Sequence, residues 1–128
     1  MDNTILIVDD DPQVRTLCRI TLEGPRFCVR EASNGKEALA AVEETACDLI
    51  LLDLCMPDMD GFEFMRTVRA KLPKLKIICM SGFMNGTMLP AAGLCGAAAT
   101  LGKPFPPASL FSIVCEVLSE ECPGPVSA

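Results

Sequence analysis

The 128-residue sequence has no histidine, no tryptophan and no tyrosine. Without histidine the chain cannot carry a His-based catalytic triad, a histidine metal ligand or a histidine phosphodonor of its own. Basic residues are the minority: 11 Lys and Arg stand against 17 Asp and Glu, a net charge of −6. That balance argues against a chain that grips nucleic acid phosphates by itself, so no direct nucleic acid binding is expected. The eight cysteines (18, 28, 47, 55, 79, 95, 115 and 122) include no C-x-x-C pair, which excludes a zinc ribbon and a thioredoxin-type motif. Several lie in apolar segments such as Ile77-Ile78-Cys79-Met80, where a reduced cysteine acts as a small hydrophobe. Met1-Asp2-Asn3-Thr4 lacks the basic region of a secretory signal, so a cytoplasmic location with reduced thiols is expected.

Charge is missing altogether from Ile77 to Gly102, 26 residues, long enough to cross a bilayer. Gly82, Gly86, Gly93, Gly96, Gly102 and Pro90 interrupt that stretch, together with Ser81, Asn85 and two threonines. It reads as strand, loop, poor helix and strand, with no membrane partner. Half the residues are hydrophobic, and the length suits one compact domain. The domain is expected over residues 3–121, with 122–128 a loose tail or the start of a linker.

The segment Thr4–Val8 is an apolar run ending in acids, the pattern of a strand buried on both faces. Asp11-Pro12 marks a helix start, with Asp11 as N-cap. Val14, Leu17, Cys18 and Leu22 follow at helical spacing until Gly24-Pro25. Phe27–Ala32 reads as a strand, Gly35–Glu44 as a helix with Ala38, Leu39 and Val42 inward, and Asp48–Leu52 as a strand running into Asp53. Asp60-Gly61 opens a helix carrying Phe62, Met65, Val68 and Arg69; Asp58 and Asp60 serve as turn and cap. Lys76–Met80 is a strand, residues 85–92 a weak helix, Ala98–Leu101 a short strand, and Pro107–Glu121 an amphipathic helix with Leu110, Ile113, Val114, Val117 and Leu118 inward. Five strands alternating with five helices predict an α/β domain with a mostly parallel sheet covered on both faces.

Ligands of such sheets bind beyond the carboxyl ends of the strands. Strand one ends in Asp9, Asp10 and Asp11, strand three in Asp53, strand four in Ser81, and strand five in Lys103 before Pro104. Carboxylates converging there repel one another unless a cation lies between them, and oxygen ligands with room for water suit Mg²⁺. A hydroxyl and an ammonium opposite complete a site for a phosphoryl group. A carboxylate between them is a plausible nucleophile.

Four segments, Ile5-Leu-Ile-Val-Asp9-Asp10-Asp11-Pro, Asp53-Leu-Cys-Met-Pro57-Asp-Met-Asp60-Gly61, Met80-Ser81-Gly82 and Lys103-Pro104-Phe105, stand in order, with gaps of 43, 28 and 22 between Asp10, Asp53, Ser81 and Lys103. Together they make the chain resemble the receiver domain of a two-component response regulator, similar to the single-domain chemotaxis-type regulators. The resemblance implies a flavodoxin-like (βα)5 doubly wound fold with strand order 2-1-3-4-5. It implies that Asp53 accepts a phosphoryl group from a partner's phosphohistidine, and that Asp10, Asp53 and the backbone carbonyl of Cys55 ligate Mg²⁺, with Asp9 holding it through water. Ser81 would bind a phosphoryl oxygen, Lys103 would pair with that group or with Asp53, and Lys103–Pro104 would be cis. The implied partners are a sensor histidine kinase or phosphotransfer protein, and a downstream protein or adjacent output domain on the face of the fourth helix, fifth strand and fifth helix.

The sequence departs from the family at three places. Thr100 occupies the position, three before Lys103, where the family usually carries an aromatic switch residue. Cys55 and Phe83 occupy two variable positions beside the acceptor, and neither orients a water well, so slow autodephosphorylation is expected. After Lys76 the only charges are Lys103, Glu116, Glu120 and Glu121, which leaves the signalling face apolar. The chain is read as a phosphoacceptor and not an enzyme in its own right. Two alternatives are a pseudo-receiver that binds without phosphorylation, which the intact acidic set disfavours, and an aspartyl-phosphate phosphohydrolase, which wants an acid where Cys55 stands.

Overall fold

The apolar runs of the sequence form the inner strands of a parallel sheet in the computed structural model, which describes residues 3–57, 59–82 and 89–119. The elements are β1 (Asn3–Val8), α1 (Pro12–Leu22), β2 (Phe27–Ala32), α2 (Gly35–Glu44), β3 (Leu49–Asp53), α3 (Gly61–Lys71), β4 (Lys76–Ser81), α4 (Leu89–Leu94), β5 (Ala99–Gly102) and α5 (Pro107–Ser119). The strands lie in the order β2-β1-β3-β4-β5, all parallel, as the resemblance implies. β1 and β3 are neighbours, so the loops that leave them part toward opposite faces and open a crevice at their carboxyl ends.

Strand alternation divides the core in two. Leu6, Val8, Ile50, Leu52, Ile77 and Cys79 pack with Phe64, Met65 and Val68 of α3 and Ala38 of α2. Ile5, Ile7, Leu49, Leu51, Ile78 and Met80 pack with Cys18 and Leu22 of α1 and Leu110, Val114 and Val117 of α5. Each fully buried aliphatic side chain contributes about 1.5–3 kcal/mol relative to an exposed one, so the unbroken run of β3 anchors both layers. Burial pushes the thiols of Cys18 and Cys79 up to about 12, so both stay protonated and behave as the small hydrophobes expected.

The helix starts follow from their caps. Asp11 accepts the Gln13 N–H at 2.9 Å, and Asp60 accepts the Phe62 N–H at 2.9 Å. Asn34 caps α2 by accepting the Glu37 N–H at 2.8 Å, while Glu37 reaches back to the Ser33 N–H at 2.8 Å. At Gly61 a Cβ would meet the Leu54 Cδ2 at 2.9 Å and its Cα at 3.2 Å, so a side chain there would crowd the end of β3 against the start of α3.

Several expectations need correction. Leu39 is not inward: it is 36% exposed, and the half-buried Ala41 and Val42 take that flank of α2. In α3 the buried side chains are Phe64, Met65 and Val68, while Phe62 is half-buried. α1 ends two residues before Gly24-Pro25, because Glu23 is already extended (φ −68°, ψ 131°). α4 is described over Leu89–Leu94, and residues 85–88 of the expected 85–92 helix, Gly86 among them, lie outside the described residues. Residues 120 and 121 of the expected last helix, and the whole of 122–128, also lie outside. No helix among the described residues is long and apolar enough to cross a membrane.

Candidate functional site at the carboxyl ends of the strands

β1, β3, β4 and β5 deliver the predicted residues to one end of the sheet. Asp9 follows β1, Asp53 and Ser81 are the last residues of β3 and β4, and Lys103 follows β5. Asp9 and Ser81 are wholly buried and Asp53 nearly so, whereas Asp10 and Cys55 are exposed. Burying three polar side chains at one spot is unfavourable unless each finds a partner, so the arrangement points to chemistry rather than to packing.

Asp9, Asp10 and Asp53 each bring a carboxylate oxygen within 4.8 Å of the other two. Three anionic oxygens this close form a donor set for a hard divalent cation and fit Mg²⁺. On the other side, the Lys103 Nζ stands 2.8 Å from the Asp9 Oδ2 and 3.4 Å from the Asp53 Oδ2. The sequence tied Lys103 to Asp53 or the phosphoryl group; the shorter contact is with Asp9, a pairing across 94 positions that the sequence reading did not include. Gly82 admits the lysine, since a Cβ there would stand 3.2 Å from the Lys103 Cβ. The Lys103–Pro104 bond is cis, as expected.

Electrostatics follow the geometry. Burial pushes the Asp9 carboxyl above the ordinary carboxylate range, with Asp53 adding to the rise, although bonds from Lys103 and the Asp11 N–H pull it back. Burial works against the Lys103 ammonium, but the bond to Asp9 and the fields of Asp9 and Asp53 outweigh it and raise its pKa. The lysine is therefore a fixed positive charge at the site.

The Asp53 Oδ1 accepts the Cys55 N–H at 3.0 Å, so one carboxylate oxygen faces a backbone donor and the other faces Lys103. The Cys55 Sγ lies 3.2 Å from the Ser81 Oγ, so thiol and hydroxyl are in contact beside the acceptor strand. Asp11 and Asp60 take the capping roles read from the sequence, while Asp58 and Phe83 lie outside the described residues. Thr100 is half-buried in β5, paired with Cys79 of β4.

The sequence reading gave Arg15 no role. Its Nη1 donates to the Asp9 carbonyl at 2.6 Å, and its Nε pairs with Glu31 at 3.0 Å. The spacing of Arg15, Arg19 and Glu23 signals an ion-paired helix face. Nothing in that spacing shows a guanidinium turning back to the loop before its own helix.

Comparison with known proteins agrees with this geometry. Residues 5–115 match the family described as "Response regulator receiver domain". A chemotaxis protein CheY of Listeria monocytogenes is 37% identical over 102 residues, 79% of this chain and 86% of that protein. An uncharacterized 14.6 kDa protein of Leptolyngbya boryana is 40% identical over 113 residues, 86% of each. The CheY-like response regulator receiver domain protein of Methanospirillum hungatei superposes with a TM-score of 0.86 at 30% identity, covering 97% of this chain and all of that one. Strand order, acidic crevice and sequence match thus converge, and the chain belongs to the response regulator receiver domains of two-component systems.

Proposed function

We propose that this receiver domain accepts a phosphoryl group on Asp53 from the phosphohistidine of a sensor kinase or phosphotransfer protein, with Mg²⁺ bound at Asp9, Asp10 and Asp53. The observation that carries this reading is the position of Asp53: nearly buried, grouped with two other carboxylates and 3.4 Å from a lysine ammonium. A strand-end aspartate with those neighbours has little structural use and a clear chemical one.

In the proposed step an Asp53 carboxylate oxygen attacks phosphorus. A P–O bond forms, the P–N bond to the donor imidazole breaks, and the leaving nitrogen takes up a proton from solvent. Mg²⁺, held directly by Asp10, Asp53 and the Cys55 carbonyl and through water by Asp9, would neutralise charge on the phosphoryl oxygens. Lys103 provides a second, fixed positive charge beside the attacking carboxylate. The Cys55 N–H orients that carboxylate through its Oδ1. Ser81 donates its hydroxyl to a phosphoryl oxygen by turning from Cys55 toward the new group.

The signal then passes by protein contact, through a shift between two conformations that phosphorylation biases. We assign the output to the face of α4, β5 and α5, where Leu94 is 91% exposed and charges are few. Intact mass after incubation with acetyl phosphate tests the acceptor reading. A Mg²⁺-dependent gain of one phosphoryl group, absent in Asp53→Asn, is expected. No gain in a folded protein would favour a binding module that works without phosphorylation.

A further inference from the structure

Every polar atom of Asp9 is held. Its N–H donates to the Ala32 carbonyl at 3.2 Å, its Oδ1 accepts the Asp11 N–H at 2.9 Å, its Oδ2 meets Lys103 at 2.8 Å, and its carbonyl accepts from Arg15 at 2.6 Å. The last contact reaches beyond Asp9. The Asp9 carbonyl and the Asp10 nitrogen share one planar peptide, so holding the oxygen fixes the plane from which Asp10 projects. Among the described residues the exposed Asp10 carboxylate takes part in no hydrogen bond, so its direction depends on the backbone.

We infer that Arg15 is a positioning residue for the acidic crevice: it fixes the Asp9–Asp10 peptide and thereby sets the affinity of the site for its divalent cation. The inference rests on the metal-site reading above. Arg15 is built for this use. Its side chain is only 17% exposed, and its Nε is pinned by Glu31 at 3.0 Å. Glu31 is pinned in turn by Arg19 at 2.6 Å, and Arg19 by Glu23 at 2.6 Å. Glu31 lies on β2 opposite Ile7, so the network ties α1 to the strand beside β1. A planar guanidinium can serve Glu31 and the Asp9 carbonyl at once; a single ammonium on a flexible stem does so poorly.

Charge and position predict opposite signs. If Arg15 acted only as a nearby positive charge, its removal would strengthen cation binding. If it positions the peptide, removal weakens binding, by about tenfold on the scale of outer-shell metal-site residues. The test is a titration with MgCl2 followed by amide NMR shifts on native protein, Arg15→Ala, Arg15→Lys and Arg19→Ala. Expected are about tenfold weaker binding in Arg15→Ala, a smaller loss in Arg15→Lys, and a change within about twofold in Arg19→Ala, which touches the same glutamate but not Asp9. Equal or tighter binding by folded Arg15→Ala would overturn the inference while leaving the metal-site reading intact. If Arg15→Ala does not fold, Arg15→Lys decides: weaker binding than native supports the positioning role and unchanged binding overturns it. No shift in the native protein at millimolar Mg²⁺ would overturn the metal-site reading, and this inference with it.

Discussion

The Lys103 Nζ is shared between two buried carboxylates, 2.8 Å from Asp9 and 3.4 Å from Asp53. The nearer partner is the aspartate that follows the first strand, not the proposed phosphoacceptor. Lys103 therefore both offsets the mutual repulsion of the acids and stands ready beside Asp53. Lys103→Met should lower the rate of phosphorylation by acetyl phosphate about 100-fold, the scale of losing one preorganised charge-stabilising donor. A time course of intact mass at saturating Mg²⁺ measures it. A rate within twofold of native would remove Lys103 from the chemistry.

The lifetime of the phosphoryl group tests the contact between Cys55 and Ser81. A thiol is a weak donor and a weak acceptor, so Cys55 holds an attacking water poorly. Its Sγ instead lies 3.2 Å from the Ser81 Oγ. Loss of the phosphoryl group in Mg²⁺ should take minutes rather than seconds. Cys55→Asn, whose amide both donates and accepts, should shorten the lifetime by about tenfold or more. A native half-life of seconds would contradict this.

The ion pairs around Arg15 make a pH-dependent contribution whose sign can be worked out. The hydrogen bond from Arg19, then that from Arg15, holds the Glu31 carboxyl below its ordinary 4.5 against modest burial. A depressed carboxylate stabilises the fold above its unfolded pKa, and that stabilisation is lost as pH falls through the lower folded value. Glu31→Gln should therefore cost about 1 kcal/mol or less at neutral pH, the range of partly exposed pairs. The difference from native should shrink as the pH drops below 4.5. Urea unfolding followed by far-ultraviolet circular dichroism at several pH values checks both.

Two leucines separate what was legible in the sequence from what was not. Leu51, wholly buried in the centre of β3, belongs to an unbroken apolar run that reads as a strand covered on both faces. Leu51→Ala should cost about 2–5 kcal/mol. Leu39 sits in a helical stripe beside Ala38, and the helical period does not say on which flank the stripe turns toward the sheet. The structure leaves it 36% exposed, so Leu39→Ala should cost under about 1 kcal/mol. Equal losses in urea unfolding would contradict the assigned layers.

The same reasoning applies to the site. Asp9, Asp53, Ser81 and Lys103 were legible because predicted strands end at them and a parallel sheet carries its chemistry at the strand ends, while their individual roles were what the family resemblance implied. The caps Asp11 and Asp60 were legible from local turn chemistry. Asn34 with Glu37 showed a capping pattern of the same kind that was not read. The Lys103–Asp9 contact and the turn of Arg15 onto the Asp9 carbonyl depend on side-chain paths across the fold, for which no local pattern exists.

The central claim is that Asp53, among three neighbouring aspartates, is the one that carries the phosphoryl group. Borohydride reduction of the acetyl-phosphate-treated protein converts an acyl phosphate to the alcohol, and peptide mapping then locates the converted residue. Homoserine at position 53 alone, formed only with Mg²⁺, is the expected result. Homoserine at position 9 or 10, or none in protein that has gained a phosphoryl group, would contradict it.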